Sequence, residues 1–264
     1  MRKLYYYLRL WKQYLRIGVL CTTQYPTDAV IMLISMLLRE ASAFIGIITI
    51  ASVAGGLGDW GVWEISLMFS MCAIIEAIGQ AFFDSIWGIS NMVRRGQLDV
   101  FLVRPASIFF QVIGQRIHFQ AVFSMTIYTG IMVLSLVKLQ VHLGLGLLLF
   151  LLEYLVCATA VNSGIYLIFN SLNFWIVQGQ DIAELVQTCR EFAKYPLSVF
   201  PMMVRTFFTY MIPFGIMGYY PAAYLTGKEG ASVIWMMPLM AAAVVAAASV
   251  MWRLGLNSYN STGT

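Results

Sequence analysis

Charge is what this sequence has least of. Asp, Glu, Lys and Arg make up 11% of its 264 residues, against 60% hydrophobic ones. A soluble domain carries about twice that charged fraction. The shortage excludes a globular surface solvated all round, so lipid is the solvent for much of the chain; the mean hydropathy of +0.79 agrees. Histidine is nearly missing. The two present, His118 and His142, fall on opposite expected sides of the membrane, which argues against a histidine-built metal or relay site. Four scattered cysteines (Cys21, Cys72, Cys157 and Cys189) form no close pairs and read as small apolar packing groups. GxxxxGK[ST], HExxH and GxSxG are all absent, and the one Gly–Lys pair, Gly227–Lys228, lies in a short expected external loop. With no nucleotide site, metal or cofactor of its own expected, a chain that moves anything uphill draws its energy from a partner or an ion gradient.

What is present is a series of long apolar runs. Residues 2–20 come first and differ from the rest. Leu4, Tyr7, Leu8, Trp11, Tyr14 and Leu15 recur at helical spacing, and Arg2, Arg9, Lys12, Gln13 and Arg16 take the other face. An aromatic face opposite a basic one predicts a helix lying in the membrane interface over 1–22. The spread of basic residues and the lack of a small-residue cleavage site argue against a cleaved signal peptide. After Pro26, spans are expected at about 29–54, 63–89, 109–137 and 143–169, and the last at 231–253.

The stretch 171–226 is ambiguous. Residues 171–200 are helical in pattern but polar, and 201–226 are apolar but divided by Pro201, Pro213 and Pro221. Pieces of about a dozen residues make helices of roughly 18 Å, too short to cross the hydrocarbon. The preferred reading is a polar fifth span at 181–200 followed by a re-entrant pair at 201–226, turned by Pro213 and Pro221 and including Tyr220; a kinked span at 202–225 is the alternative. Lys and Arg concentrate in the segments that are cytoplasmic if the N-terminus is inside, giving N-in, C-in. The expected fold is all-α, a single six-span membrane domain over 1–264. Tyr5, Tyr6, Tyr7, Trp60, Trp63, Tyr219 and Tyr220 are expected as interface anchors.

Two features bear on function. The loop 91–107 sets an apolar run, Leu98 and Val100 to Val103, between Arg94–Arg95 and Arg104–Pro105. A short helix docking into a partner's groove fits this pattern, and so does a segment lying on the bilayer surface. The second feature is charge inside spans. Arg39, Glu40, Glu76 and Glu153 sit well within apolar runs, where each isolated charge costs at least about 2.5–3.5 kcal/mol. An Arg39 pairing with Glu76 or Glu153 is the simplest compensation, either as a packing network or lining a substrate path.

The segment RRGQLDVFLVRP resembles the G-x-LD-x-x-L-x-RP signature of a branch of the ABC-2 type exporter permeases. The later AKYPLSVFP and IPFGIMGYYPAAYLTGK are similar to that branch's second signature, and the order of parts agrees over nearly the whole chain. The resemblance implies a permease subunit in a bacterial cytoplasmic (inner) membrane, working with a second permease, identical or related. It also implies separate cytoplasmic P-loop ATPases that hold the ATP and Mg. The loop would be the coupling helix, with Arg95, Gly96, Leu98, Asp99, Phe101, Leu102, Arg104 and Pro105 as its contact set. Two other classes stay open from the residues alone. An ion-driven transporter using the buried carboxylates would call for inverted repeats, and a membrane-embedded lipid-modifying enzyme has only Arg116 with His118 to offer.

Overall fold

The fold, obtained as a computed structural model, describes residues 2–24, 26–53, 56–115, 117–118, 120–176 and 179–259. All regular secondary structure among them is helical. In chain order the helices are α1 (Arg2–Gln24), α2 (Pro26–Val53), α3 (Val62–Phe83), α4 (Ile89–Arg94), α5 (Leu98–Leu102) and α6 (Ile108–Gly114). They continue as α7 (Gln120–Lys138), α8 (Leu145–Ser171), α9 (Gly179–Arg190), α10 (Met202–Thr206), α11 (Tyr219–Leu225) and α12 (Ser232–Ser258).

Among the described residues, five helical stretches are long and apolar enough to cross a membrane: Pro26–Gly46, Val62–Arg94, Ala121–Lys138, Leu145–Phe174 and Ser232–Ser258. α3 is the central one. It packs chiefly on α7 and α8, while α12 lies along α8 on the other side. Small residues allow that second contact: a side chain at Gly164 of α8 would press on Val244 of α12. α2 is peripheral. It touches α3 and α7 but has no buried side chain among its described ones, and Phe44 against Phe69 is its main aromatic contact, with ring centroids 5.4 Å apart.

The expected third span, 109–137, is broken in two. α6 ends at Gly114 and α7 begins at Gln120. The polar residues between them keep the chain from continuing as one helix, and the neighbouring span satisfies the freed backbone groups. His118 N–H donates to the Ala81 carbonyl (3.1 Å) and Ser85 Oγ to the Ile113 carbonyl (3.2 Å). α6 instead forms a platform for α1. Tyr7, Trp11 and Tyr14 ring Phe110 at centroid distances of 4.9, 5.8 and 6.1 Å, and Gly114 leaves room for the Tyr14 ring. The aromatic stripe of α1 therefore meets protein, while Leu8, Ile17 and Leu20 stay exposed.

Between α8 and α12 the chain forms two irregular helical segments packed in the bundle. Residues 179–200 start beside Asn173 at the end of α8 and reach Ser198, whose hydroxyl accepts from Trp60 Nε1 at 3.1 Å at the opposite end. α10 then continues through a π-helical turn, Phe207–Met211, to Pro213, where a 3₁₀ turn, Phe214–Met217, reverses it into α11. The reversal is deeply buried. Tyr154 Oη of α8 lies 2.6 Å from the Met71 carbonyl and 3.0 Å from the Met217 carbonyl, and Met71 is nine residues, or about 13 Å, into α3. Thr209 and Tyr220 join the two limbs through their hydroxyls at 2.6 Å.

At the mouth of this segment Arg205 pairs with Glu229 (3.2 Å), and Lys228 meets Glu64 (3.2 Å) and the Asp59 carbonyl (2.5 Å). Trp60, Tyr219 and Tyr220, expected as interface anchors, are buried here. Trp60 stacks on Tyr219 at 5.5 Å beneath the Lys228 ammonium. Their polar tips find protein partners in a core that already needs their volume, so they do not reach for the headgroups.

Tyr154→Phe keeps the ring and removes the hydroxyl that meets the Met71 and Met217 carbonyls, a loss of about 1 kcal/mol. The expected result is faster amide exchange over 212–225 with α12 unchanged, read by hydrogen–deuterium exchange of the purified protein.

Candidate functional site

A polar cavity of about 650 Å³ opens between α2, α3, the start of α7, α8 and α9. It lies in the half of the bundle that carries the 95–107 loop. One wall is apolar, from Ile31, Met32 and Met36 of α2 with Phe83 and Trp87. The polar lining comes from Ser35 and Arg39 of α2, Glu76 and Gln80 of α3, Asn162, Ser163 and Tyr166 of α8, and Gln187 and Arg190 of α9.

The charges expected to pair with one another do not. Glu76, 5% exposed, meets Arg190 Nε at 3.4 Å and Lys194 Nζ at 3.3 Å, and Lys194 also meets Glu191 at 2.9 Å. Arg39 instead pairs with its neighbour Glu40 at 2.8 Å, its own side chain 63% exposed. Glu40 also accepts from the Tyr128 hydroxyl of α7 at 2.7 Å, which ties α2 to the bundle. Glu153 is half-buried on α8 and makes no ion pair among the described residues. The reason is geometric. Glu76 points to the α9 side of α3, and Arg190 and Lys194, four residues apart and so on one face of the chain, reach it from there.

Arg190 and Lys194 were the residues missed in the sequence. Their signal was available: two cations on one face of a polar stretch call for an anion inside the bundle. Arg190 also lies over the Tyr166 ring (5.3 Å), and Trp87 packs on that ring at 4.8 Å. Lower in the cavity His118 Nε2 stands 3.0 Å from Asp84 Oδ2. Arg116, the other half of the enzyme-like pair considered above, lies outside the described residues.

The loop divides into an inner and an outer face. Gly96 ends α4 with a positive φ of 64°, a conformation in which a side chain is strained, and the next turn starts α5. Leu98 and Phe101 are buried with Ile89, Met92, Val112 and Trp252. They are therefore packed inside the chain. Val100, Leu102 and Val103 are exposed, as are Arg95, Arg104 and Pro105. Gln111 Nε2 clamps the loop's return by donating to the Phe101 and Ala106 carbonyls (3.1 and 2.9 Å), and Ser107 N–H donates to the Tyr7 hydroxyl of α1 (3.1 Å). Asp99 faces the end of α12: burial, then the Asp99 carboxylate beside it, push the Tyr259 phenol above its ordinary range. Pro201, Pro213, Tyr220 and Pro221 lie at the other end of the molecule, in the α10–α11 segment, and take no part in either region.

A cavity inside the bundle and an apolar helix presented below it are the parts a driven permease needs. The sequence model of the ABC-2 family transporter protein matches residues 37–263. The chain belongs to the ABC-2 transporter family. It is a multi-pass membrane protein and an ABC transporter permease, a family of membrane components that carry transport rather than catalysis. No curated protein and no solved structure matches the chain.

Glu76→Ala in this permease leaves Arg190 buried without its anion and Lys194 with Glu191 alone, at a cost of about 3–5 kcal/mol. Arg39→Ala, which removes an exposed partner, should change stability by about 1 kcal/mol or less. Thermal unfolding of the two purified variants checks both: a clear drop for Glu76→Ala alone is expected, and equal melting would refute the anchoring role.

Proposed function

We propose that the chain is one permease half of an ATP-driven exporter, and that the α5 loop is where a separate cytoplasmic P-loop ATPase docks. The observation that carries this reading is the split of the loop. Its apolar residues divide between an inner set fixed in the protein and an outer set, Val100, Leu102 and Val103, that is exposed among the described residues. Exposed aliphatic anchors rimmed by Arg95 and Arg104 are what a docking helix presents. ATP and Mg act in that partner; this chain brings no nucleotide site.

The inner set supplies the transmission. Leu98 and Phe101 belong to the same cluster as Tyr166, which lines the cavity, and Trp252 of α12. A push on the loop moves packed side chains that end at the cavity wall. The cavity is then the cytoplasmic-side part of a path shared with a second permease chain, identical or related. The unburied face of α2 supports such a neighbour, because Arg39 halfway along it otherwise stands exposed at membrane depth.

The finer membrane layout belongs to this proposal too. Residues 179–200 make the fifth of six crossings, since they begin at one end of the bundle and finish beside Trp60 at the other. The segment 201–226 is re-entrant, α1 lies in the interface, and both termini are cytoplasmic in a bacterial inner membrane. The whole of 1–264 acts as one transmembrane domain.

The test is affinity purification of the complex in mild detergent from cells carrying wild type, Val103→Asp or Phe101→Asp. Val103→Asp should keep the chain's melting temperature and lose a co-purifying P-loop ATPase. Phe101→Asp should lower the melting temperature, because it buries a carboxylate without a partner. An ATPase that stays bound at wild-type yield to a well-folded Val103→Asp chain would overturn the assignment of the docking face.

A further inference from the structure

We infer that the cavity binds an amphiphile whose polar head is uncharged and rich in hydroxyl or amide groups. The inference rests on the cavity being part of the permease's path and names the chemical class that travels there. Its first support is the state of the charges around the cavity. Arg39 pairs with Glu40 and Arg190 with Glu76, and His118 Nε2 stands 3.0 Å from Asp84 Oδ2. Each of these charged side chains already has a partner among the described residues, and a charged head would enter a low-dielectric space with no free counter-charge beside it.

The second support is the hydrogen-bonding capacity that is left over. Asn162, Ser163 and Tyr166 fall at i, i+1 and i+4 on α8, on one face, and each is more than nine-tenths buried. Asn162 Oδ1, Ser163 Oγ and the Tyr166 hydroxyl have no hydrogen-bond partner among the described residues, and all three residues line the cavity. Buried polar groups are almost always satisfied, so a cluster of three on a cavity wall marks a place where something polar sits. Both donors and acceptors are on offer, which suits hydroxyls and amides, groups that do both. The Tyr166 ring is fixed between Arg190 and Trp87, so its hydroxyl is held in position before any ligand arrives. Across the cavity, Ile31, Met32 and Met36 give a flexible apolar wall suited to an alkyl chain.

The test uses the purified permease complex in phosphatidylcholine nanodiscs and reads tryptophan quenching by three probes brominated on the chain: dodecyl glucoside, dodecyltrimethylammonium and dodecyl sulfate. The expected result is saturable quenching by the glucoside that disappears in Trp87→Phe. Its affinity should fall about tenfold in Asn162→Ala and in Tyr166→Phe, the loss of one well-placed hydrogen bond, with melting temperatures near wild type. The two charged probes should bind about tenfold more weakly or not at all. Equal or tighter binding of either charged probe would overturn the inference, as would glucoside affinity unchanged in both α8 variants. Failure here with the ATPase still captured leaves the permease reading standing. Saturable glucoside binding by a chain that captures no ATPase would do the reverse.

Discussion

Glu76, Arg190 and Lys194 set the conditions for the rest of the bundle. A carboxylate in the middle of the central span is tolerable only with cations beside it, and the cations come from a segment that is otherwise too polar and too irregular to hold itself in the membrane. Each side needs the other. α9 and the turn after it carry few apolar residues and end in Pro196, so their position is fixed by the ion cluster, by Asn173 at one end and by Trp60 at the other. Once placed, they supply the fourth wall of the cavity and the floor against which the α10–α11 reversal packs.

The loop below the cavity gains its meaning from the same economy of charge. Apolar residues are plentiful in this chain, so an apolar run in a loop says little until its two faces are separated. Leu98 and Phe101 face inward and make the loop rigid, and Val100, Leu102 and Val103 face outward and are left bare. The buried and the exposed residues of the loop are thus neighbours in sequence, and under the proposed docking a substitution at one would report on folding and at the next on assembly. Tyr7 of α1 and Tyr259 after α12 both reach the loop, so the two ends of the chain are joined to the place where force would be applied.

Much of this could be read from the sequence, because hydropathy and helix breakers are local signals. The fourth and last spans, the apolar loop run and the proline-divided stretch after residue 200 all follow from residue order alone. The third span misled because length and hydropathy do not register a backbone whose free groups are taken up by a neighbouring helix, as happens at Ile113 and His118. The pairing of Glu76 misled for a related reason: Arg39 is the cation nearest the middle of a clearly apolar span, whereas Arg190 and Lys194 sit in a stretch whose polarity hides its place in the bundle. The orientation of Phe101, and the burial of Tyr219 and Tyr220, depend on which face of a short helix meets a core, and a sequence of five to seven residues is too short to state a face.

The cluster at Glu76 has an electrical consequence as well. Two carboxylates, Glu76 and Glu191, stand with two cations, Arg190 and Lys194, so the group as a whole is neutral. A unit charge carried across a membrane does work of about 2.3 kcal/mol for each 100 mV of potential. A neutral cluster that shifts as one body carries no net charge and does none. A step that carries α3 and the α9 segment together therefore moves this cluster at the same energy whether the membrane is polarised or not.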